Sequence, residues 1–280
     1  MDNSYGMQNL QRVNLFILQE IDRICTKYRI NYTLDSGTLL GAIRHGGFIP
    51  WDDDADIAMT RANFEAFKKI VRRELSDKLE FIMPDEFKGG SVFYDFTPRI
   101  IYKASARHKD KKNDLYEGKL NHIWVDIFII DKLPNNKTLR KIVLFTQKII
   151  YLFAMGHRRR MELGKYKGLM KIAILIFSTI GKVFPMKVLF KIQDKISKFY
   201  SKRRNNKMCY YSNYQPDYID LKFKANWFEN YSKVLFEEVM LSIPDEYDNI
   251  LTSIYGNYMA LPSKEDRVPT HGSTEIEIYE

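Results

Sequence analysis

The chain has only two cysteines among its 280 residues, Cys25 and Cys209. Two thiols cannot build a disulfide framework or a cysteine-ligated zinc cluster, so a reducing, cytoplasmic setting is expected. Cys25 falls within a helical pattern and reads as core. Long apolar runs are also scarce. The stretch IAILIFSTIG, residues 172–181, is only ten residues long and is flanked by Lys171 and Lys182. That is too short to span a bilayer, which takes about 20 residues. The N-terminal MDNSYGMQNLQR contains no apolar segment, so no secretory signal is expected. Internal repeats and low-complexity tracts are lacking. With 45% hydrophobic residues the chain can bury a sizeable core, which excludes wholesale disorder.

Acidic residues are nearly missing from one region. Residues 139–207 hold 18 Lys and Arg against Glu162 and Asp194, a net of about +16. The whole chain carries +9, so the remainder is acidic, about −7. Such basicity points to an anionic partner: a nucleotide, a phosphorylated glycan, nucleic acid or a membrane surface.

What is present has clear periodicity. Leu10, Val13, Ile17, Ile21, Ile24 and Tyr28 predict an amphipathic helix. Tyr32 and Leu34 read as a short strand ending at the Asp35-Ser36-Gly37 turn. Residues 38–44 predict a short helix broken by Gly46-Gly47. DDDADIAM, residues 52–59, reads as a strand, 61–75 as a helix and 91–105 as strand material. HIWVDIFIID, residues 122–131, is a near-continuous apolar run of strand length, expected to be buried on both faces. Helices dominate from Leu139. A further helix is expected to start at Pro244-Asp245 and stop near Gly256. The pattern predicts an α+β class: a mixed sheet with flanking helices and a basic helical insert. The expected catalytic domain comprises 1–138 and 208–280, split by the insert at 139–207.

Four aspartates within five positions, 52–56, raise the central chemical question, because like charges this close raise one another's pKa. On a strand, Asp52, Asp54, Asp56 and Ala58 share one face, and Asp53, Ala55, Ile57 and Met59 the other. Asp54 and Asp56 then project together, an arrangement suited to a hard divalent cation such as Mg²⁺ or Mn²⁺. A solvated acidic turn is the alternative. An EF-hand is not, since its Gly and later bidentate Glu are missing at the required spacing. Asp126, amid Trp124, Val125, Ile127 and Phe128, is costly to ionise unless it binds metal or pairs with an arginine.

A Gly-Thr pair at 37–38, a carboxylate pair on the next strand and a third carboxylate on a later strand form the pattern of the nucleotidyltransferase fold. There the small turn lets backbone amides approach phosphate. SGTLLGAIRHGGFIPWDDDADIAM, residues 36–59, resembles the signature of the LicD family of phosphotransferases, which includes the fukutin-related ribitol-phosphate transferases. IWVDIFIIDKLP (123–134) and IYGNYMALPSKEDRVPTH (254–271) fit it too. The mammalian relatives carry a cysteine-rich zinc site that two cysteines cannot reproduce.

The resemblance implies transfer of a phosphorylated headgroup, phosphocholine from CDP-choline first, to a sugar hydroxyl of a cell-surface glycan precursor. It implies metal at Asp54, Asp56 and Asp126, with Asp126 alternatively accepting the proton from the attacking hydroxyl. Gly37, Thr38, Arg44, His45 and Arg99 are candidate donor contacts, with surface or structural roles as the alternatives for the last three. Arg267 and His271 rest on the family motif alone. Ribitol, glycerol or sugar phosphate are rival headgroups. A choline site needs an aromatic cage; Tyr32, Trp51, Tyr94 and Trp124 lie near the motifs, with ordinary core roles as the alternative.

The basic insert reads either as a solvated helical subdomain or as an anchor on anionic lipid. The anchor would use residues 172–181 with Met186, Leu189, Phe190, Ile196 and Phe199, rimmed by lysines. The expected location is then cytoplasmic, peripheral on the inner face of the membrane, close to a lipid-linked acceptor. A nucleic-acid-binding module is the rival from another class. It leaves the aspartates unexplained, so no nucleic-acid partner is expected.

Overall fold

The computed structural model describes residues 5–107, 116–159, 161, 163–203, 205–269 and 276–279. Its first element follows the apolar spacing. Helix α1 (Gln8–Tyr28) buries Leu10, Val13, Ile17, Ile21, Ile24 and Cys25 along one stripe. Strand β1 (Thr33–Leu34) leads into α2 (Ser36–His45), which stops at Gly46 with φ 70, a left-handed conformation cheapest for glycine. Then follow β2 (Asp56–Thr60), α3 (Arg61–Glu74), β3 (Leu79–Ile82), β4 (Arg99–Tyr102), β5 (Ser105–Arg107) and β6 (Ile123–Leu133). The basic region forms α4 (Lys137–Met155), α5 (Gly168–Gly181) and α6 (Met186–Ser201). The chain continues as β7 (Met208–Tyr211), β8 (Phe223–Lys224), β9 (Tyr231–Phe236), β10 (Val239–Pro244), α7 (Tyr247–Tyr255) and β11 (Ile276–Ile278). Among the described residues this is a mixed α+β architecture with seven α-helices.

Strand β6 is the axis of the main sheet. Along one edge β2 runs parallel, from Asp56 opposite Asp126 to Thr60 opposite Ile130, with β1 antiparallel outside it. On the other edge β4 lies antiparallel, Arg99 opposite Asp126, and β3 pairs outside β4. Farther along that edge β7 takes over, Tyr211 opposite Ile130, followed by β8. Eleven residues give β6 room for two successive partners, and its apolar run suits a strand enclosed by strands on both edges and packed by α1, α3 and α6. Strands β9 and β10 form a separate hairpin, and β5 pairs with β11.

Two expected strands are shorter than their sequence pattern. Strand β2 begins only at Asp56. Upstream, the Asp52 N–H donates to Ile49 O (2.9 Å), closing a turn that the Gln11 side chain braces by donating to Ile49 O and Asp52 O. The alternation of Asp52, Asp54 and Asp56 on one strand face therefore does not exist. The stretch 91–98 is irregular, because Phe93 and Phe96 leave the sheet and enter the core of the helical region.

That core combines Ile150, Tyr151, Ile174, Met186, Leu189 and Phe190 with the two phenylalanines. Helices α4 and α5 meet backbone to backbone. A Cβ on Gly156 would stand 2.1 Å from Ser178 O, and one on Gly181 2.1 Å from Phe153 O. The expected outward face of the insert is thus corrected: Ile174, Met186, Leu189 and Phe190 point inward. The outward apolar surface is Leu169, Ile172, Ile176, Ile180 and Val183, with Ile142 and Phe145 of α4. Helix α5 is apolar on both sides, so its period alone does not mark the inner one. No single helix among the described residues is long and apolar enough to cross a membrane. The pair α5 and α6, bent by 107°, reaches that length and composition together.

Candidate active site

Register places Asp56, Asp126 and Arg99 side by side on three adjacent strands, and residues in register share a sheet face. Asp56 is 8% exposed. Its backbone is tied to the start of α2: the Asp56 N–H donates to Thr38 Oγ1 (2.9 Å), and the Asp35 N–H donates to Asp56 O (3.0 Å). Thr38, expected to help approach phosphate, is buried and sets the position of Asp56 instead. A Cβ on Gly37 would stand 2.7 Å from Asp52 Oδ2, so the glycine lets that carboxylate close in without having to shift. The Asp52 carboxylate thus lies against the first turn of α2.

The electrostatics follow from this crowding. Burial first, then the charge of Asp54, pushes the Asp52 carboxyl well above its ordinary range. Burial also raises Asp56, followed by the charges of Asp54, Asp126, Asp35 and Asp52. Asp126 is pushed up to about 6 by burial, with Arg99 pulling the other way and the Trp124 side chain donating a hydrogen bond. Among the described residues, no group of three or more His, Cys, Asp or Glu side chains is arranged to hold a metal ion. Asp54 lies close enough for its charge to raise Asp56, and Mg²⁺ is commonly held by one or two carboxylates with its remaining ligands from water and substrate phosphates.

Arg99 is neither a surface charge nor free for phosphate. It is 4% exposed, and its Nε lies 2.7 Å from Asp126 Oδ1. Its two terminal nitrogens grip Asp95 at 2.9 and 2.5 Å, and Nη1 also donates to Thr97 O. Tyr94 and Trp124 flank the guanidinium at 5.2 and 5.5 Å. Burial opposes its charge, but Asp126 and Asp95 outweigh that and hold its pKa above the ordinary value. The cause is position: Arg99 sits on an inner strand, where a guanidinium must be paired.

A second group assembles at the other end of α2. Arg44 donates to Tyr258 O (2.9 Å) and Ala260 O (3.2 Å), which brings the C-terminal segment against it. Arg267 lies over the Trp51 ring at 5.5 Å, and His45 meets the same ring edge-on. Burial and the neighbouring Arg267 lower the Arg44 pKa, and burial and Arg44 lower that of His45. Arg44 and Arg267, distant in sequence, thus form one cationic patch beside the turn bearing Asp52, with the His45 imidazole, favoured in its neutral form, next to them. His271 lies outside the described residues.

Several site residues escaped the sequence reading. Asp35 is fully buried, accepts from Tyr211 Oη (2.5 Å) and Ser36 Oγ (3.1 Å), and is pushed up to about 6 by burial. Beside it opens a cleft of about 500 Å³ lined by Ser36, Tyr211, Tyr214, Asp217, Tyr218 and Tyr255 among others. Burial raises the phenols of Tyr214 and Tyr255, and the charges of Asp56 and Asp35 add to it in both, which places these rings close to the carboxylates. Tyr255 lies in the 254–271 stretch, but no motif marks Tyr211, Tyr214 or Tyr218; the return of β7 to the sheet and of α7 to α2 brings the rings together. The aromatics expected from sequence are engaged elsewhere: Tyr32 with Asp22, Trp51 under Arg267, and Tyr94 and Trp124 around Arg99.

Residues 29–154 match the family model described as LicD/FKTN/FKRP, nucleotidyltransferase domain. Over 281 aligned residues the chain is 29% identical to the lipopolysaccharide cholinephosphotransferase LicD of Haemophilus influenzae, covering 95% of this chain and 96% of that protein. It is also 30% identical over 138 residues to an uncharacterised protein of Rickettsia prowazekii, covering 47% of this chain and 44% of that one. A Rickettsia typhi protein is 37% identical over 126 residues, 41% of each chain. Residues 29–154 thus carry a LicD-family domain.

Proposed function

We propose that this protein is a metal-dependent transferase with a nucleotidyltransferase-like core, moving phosphocholine from CDP-choline to a sugar hydroxyl of a cell-surface glycan precursor of the lipopolysaccharide, teichoic acid or capsule type. The observation that carries the reading is the buried row of Asp56 and Asp126 beside Asp54 in a domain of this family. Carboxylates crowded out of water call for a cation, and a diphosphate donor calls for the same one. The likeness to a cholinephosphotransferase along nearly the whole chain supports the headgroup.

In this reading the acceptor oxygen bonds to the phosphorus bearing choline while the bond from that phosphorus to the bridging oxygen breaks, and CMP leaves with that oxygen. Mg²⁺ or Mn²⁺, held by Asp54 and Asp56, would supply neutralisation of the diphosphate charge. Asp126 accepts the hydroxyl proton; its raised pKa suits a general base. Arg99 and Trp124 fix its orientation. The cationic patch of Arg44 and Arg267 draws the anionic donor, with the neutral His45 ring beside it. The outward apolar residues of α5, bordered by exposed Lys167, Lys171 and Lys182, favour docking on the anionic cytoplasmic face of a membrane, near a lipid-linked acceptor.

The test is CMP release from CDP-choline with Mg²⁺ and a lipopolysaccharide or teichoic acid acceptor, set beside CDP-ribitol and CDP-glycerol. Release from CDP-choline above the others is expected. Release only from another donor would move the headgroup, and release from none would end the transferase reading.

A further inference from the structure

We propose that the tyrosine cleft beside α2 receives the quaternary ammonium of the donor headgroup and sets headgroup specificity. The proposal rests on the transferase reading above and adds the residues that recognise choline.

The walls of the cleft are aromatic and held in place. Tyr214 stacks on Phe128 with ring centroids 4.6 Å apart and planes 6° from parallel. Tyr211 stands 5.7 Å from Tyr214, and its hydroxyl is pinned by Asp35. Tyr218 closes on Tyr214 at 5.1 Å and 43°, so two rings meet at an angle, as a cage requires. Tyr255 lines the cleft from α7. A quaternary ammonium has no N–H to donate. It is bound by ring faces, each with a negative quadrupole, and by charge at a distance.

The charge has the right sign. Among the described residues, none of those lining the cleft is Lys or Arg, and Asp217 and Asp220 both face it. Asp220 is bridged by Lys148 at 2.5 Å, whereas among the described residues Asp217 has no ion-pair partner to offset its charge. The field therefore favours a cation and opposes the phosphate end of the donor. Ser36 lines the cleft and immediately precedes Gly37, so the cleft opens directly at the α2 start that positions Asp56. A donor with its phosphates at Asp54 and Asp56 would have its choline end next to these rings. Ribitol or glycerol would find ring faces where their hydroxyls need partners.

Calorimetric titration of the full chain with choline chloride, CDP-choline and CMP, the nucleotides with Mg²⁺, tests this. Tyr218 is 52% exposed, so its replacement leaves the core intact. Tyr218→Leu should weaken choline and CDP-choline about ten-fold, the range of a lost cation–π contact, and leave CMP within about two-fold. Tyr218→Phe, which keeps the ring, should retain affinity for all three. Asp217→Asn should weaken choline with CMP unchanged. The proposal is overturned if Tyr218→Leu leaves CDP-choline affinity unchanged, if it weakens CMP equally, which would make the cleft a nucleotide site, or if the wild-type protein binds no choline. Choline binding lost in Tyr218→Leu, in a protein that releases no CMP from CDP-choline, would keep the subsite and remove only the transferase reading.

Discussion

Asp56 and Asp126 stand opposite each other on parallel strands β2 and β6, so two carboxylates far apart in sequence share one row of the central sheet. On its other side Asp126 meets Arg99 of β4. Within that row one carboxylate has an arginine and the other is surrounded by further carboxylates. In the proposed reading this asymmetry gives them different roles, Asp56 as the cation-seeking group and Asp126 as the oriented base.

Asp56→Asn is expected to lower transfer on the order of 10²–10³-fold or more, the scale of a lost transition-state charge stabiliser. The variant should melt no lower than wild type without metal, because mutual repulsion is relieved. Asp54→Asn should lose activity in the same way. Turnover near wild type in either, measured as CMP release, would remove the metal-ligand role.

Asp126→Asn should also be inactive, and donor binding separates the two reasons. A general base leaves CDP-choline affinity with Mg²⁺ almost intact, whereas a metal ligand weakens it. Arg99→Met should destabilise the fold by about 3–5 kcal/mol, because it strands two buried carboxylates, Asp95 and Asp126. A urea midpoint close to wild type would contradict the buried pairing.

Gly41→Ala and Gly46→Ala provide a matched comparison in α2. A Cβ at Gly41 would meet Gly47 O at 2.4 Å and Ile49 N at 3.2 Å, both backbone atoms in the turn leading to Asp52. Gly46 has φ +70 and open space around it. Gly41→Ala should cost about 1–3 kcal/mol by overpacking, and Gly46→Ala about 1 kcal/mol by backbone strain alone. Chemical denaturation gives the order; a larger loss at Gly46 would refute it.

Sedimentation with phosphatidylglycerol vesicles tests the insert. Binding should rise with anionic lipid and fall with salt. Changing Lys167, Lys171 and Lys182 to Glu should remove the salt-sensitive part, on the order of 1 kcal/mol per charge. Leu169→Asp with Ile172→Asp should remove the salt-resistant part, since both side chains are exposed. Ile174 is buried, and Arg158 donates to Tyr94 O and Tyr151 Oη, so changes there would disturb the helical core and not report on the outer face. Wild-type protein left in the supernatant at low salt would rule out the anchor.

Local patterns determined a good deal. The 3.6-residue stripe of α1, the short helix before Gly46-Gly47 and the apolar run of β6 were all legible, because helix and strand periods are written in neighbouring residues. The aspartate cluster was legible as chemistry, because so many like charges need an explanation wherever they sit. Tertiary structure alone decided the partners. It gave Arg99 to Asp126 and Asp95, carried Arg267 to Arg44 and Trp51, turned Ile174 inward on a helix apolar all round, and gathered Tyr211, Tyr214, Tyr218 and Tyr255 beside Asp35 and Ser36. Apart from Arg99–Asp95 and the run Tyr211, Tyr214 and Tyr218, these contacts join residues far apart in the chain, and their energies depend on burial and on which strand lies beside which. No period or short motif encodes that, so the carboxylates could be found in the sequence, while their counter-charges and the aromatic cleft beside them had to be found in the fold.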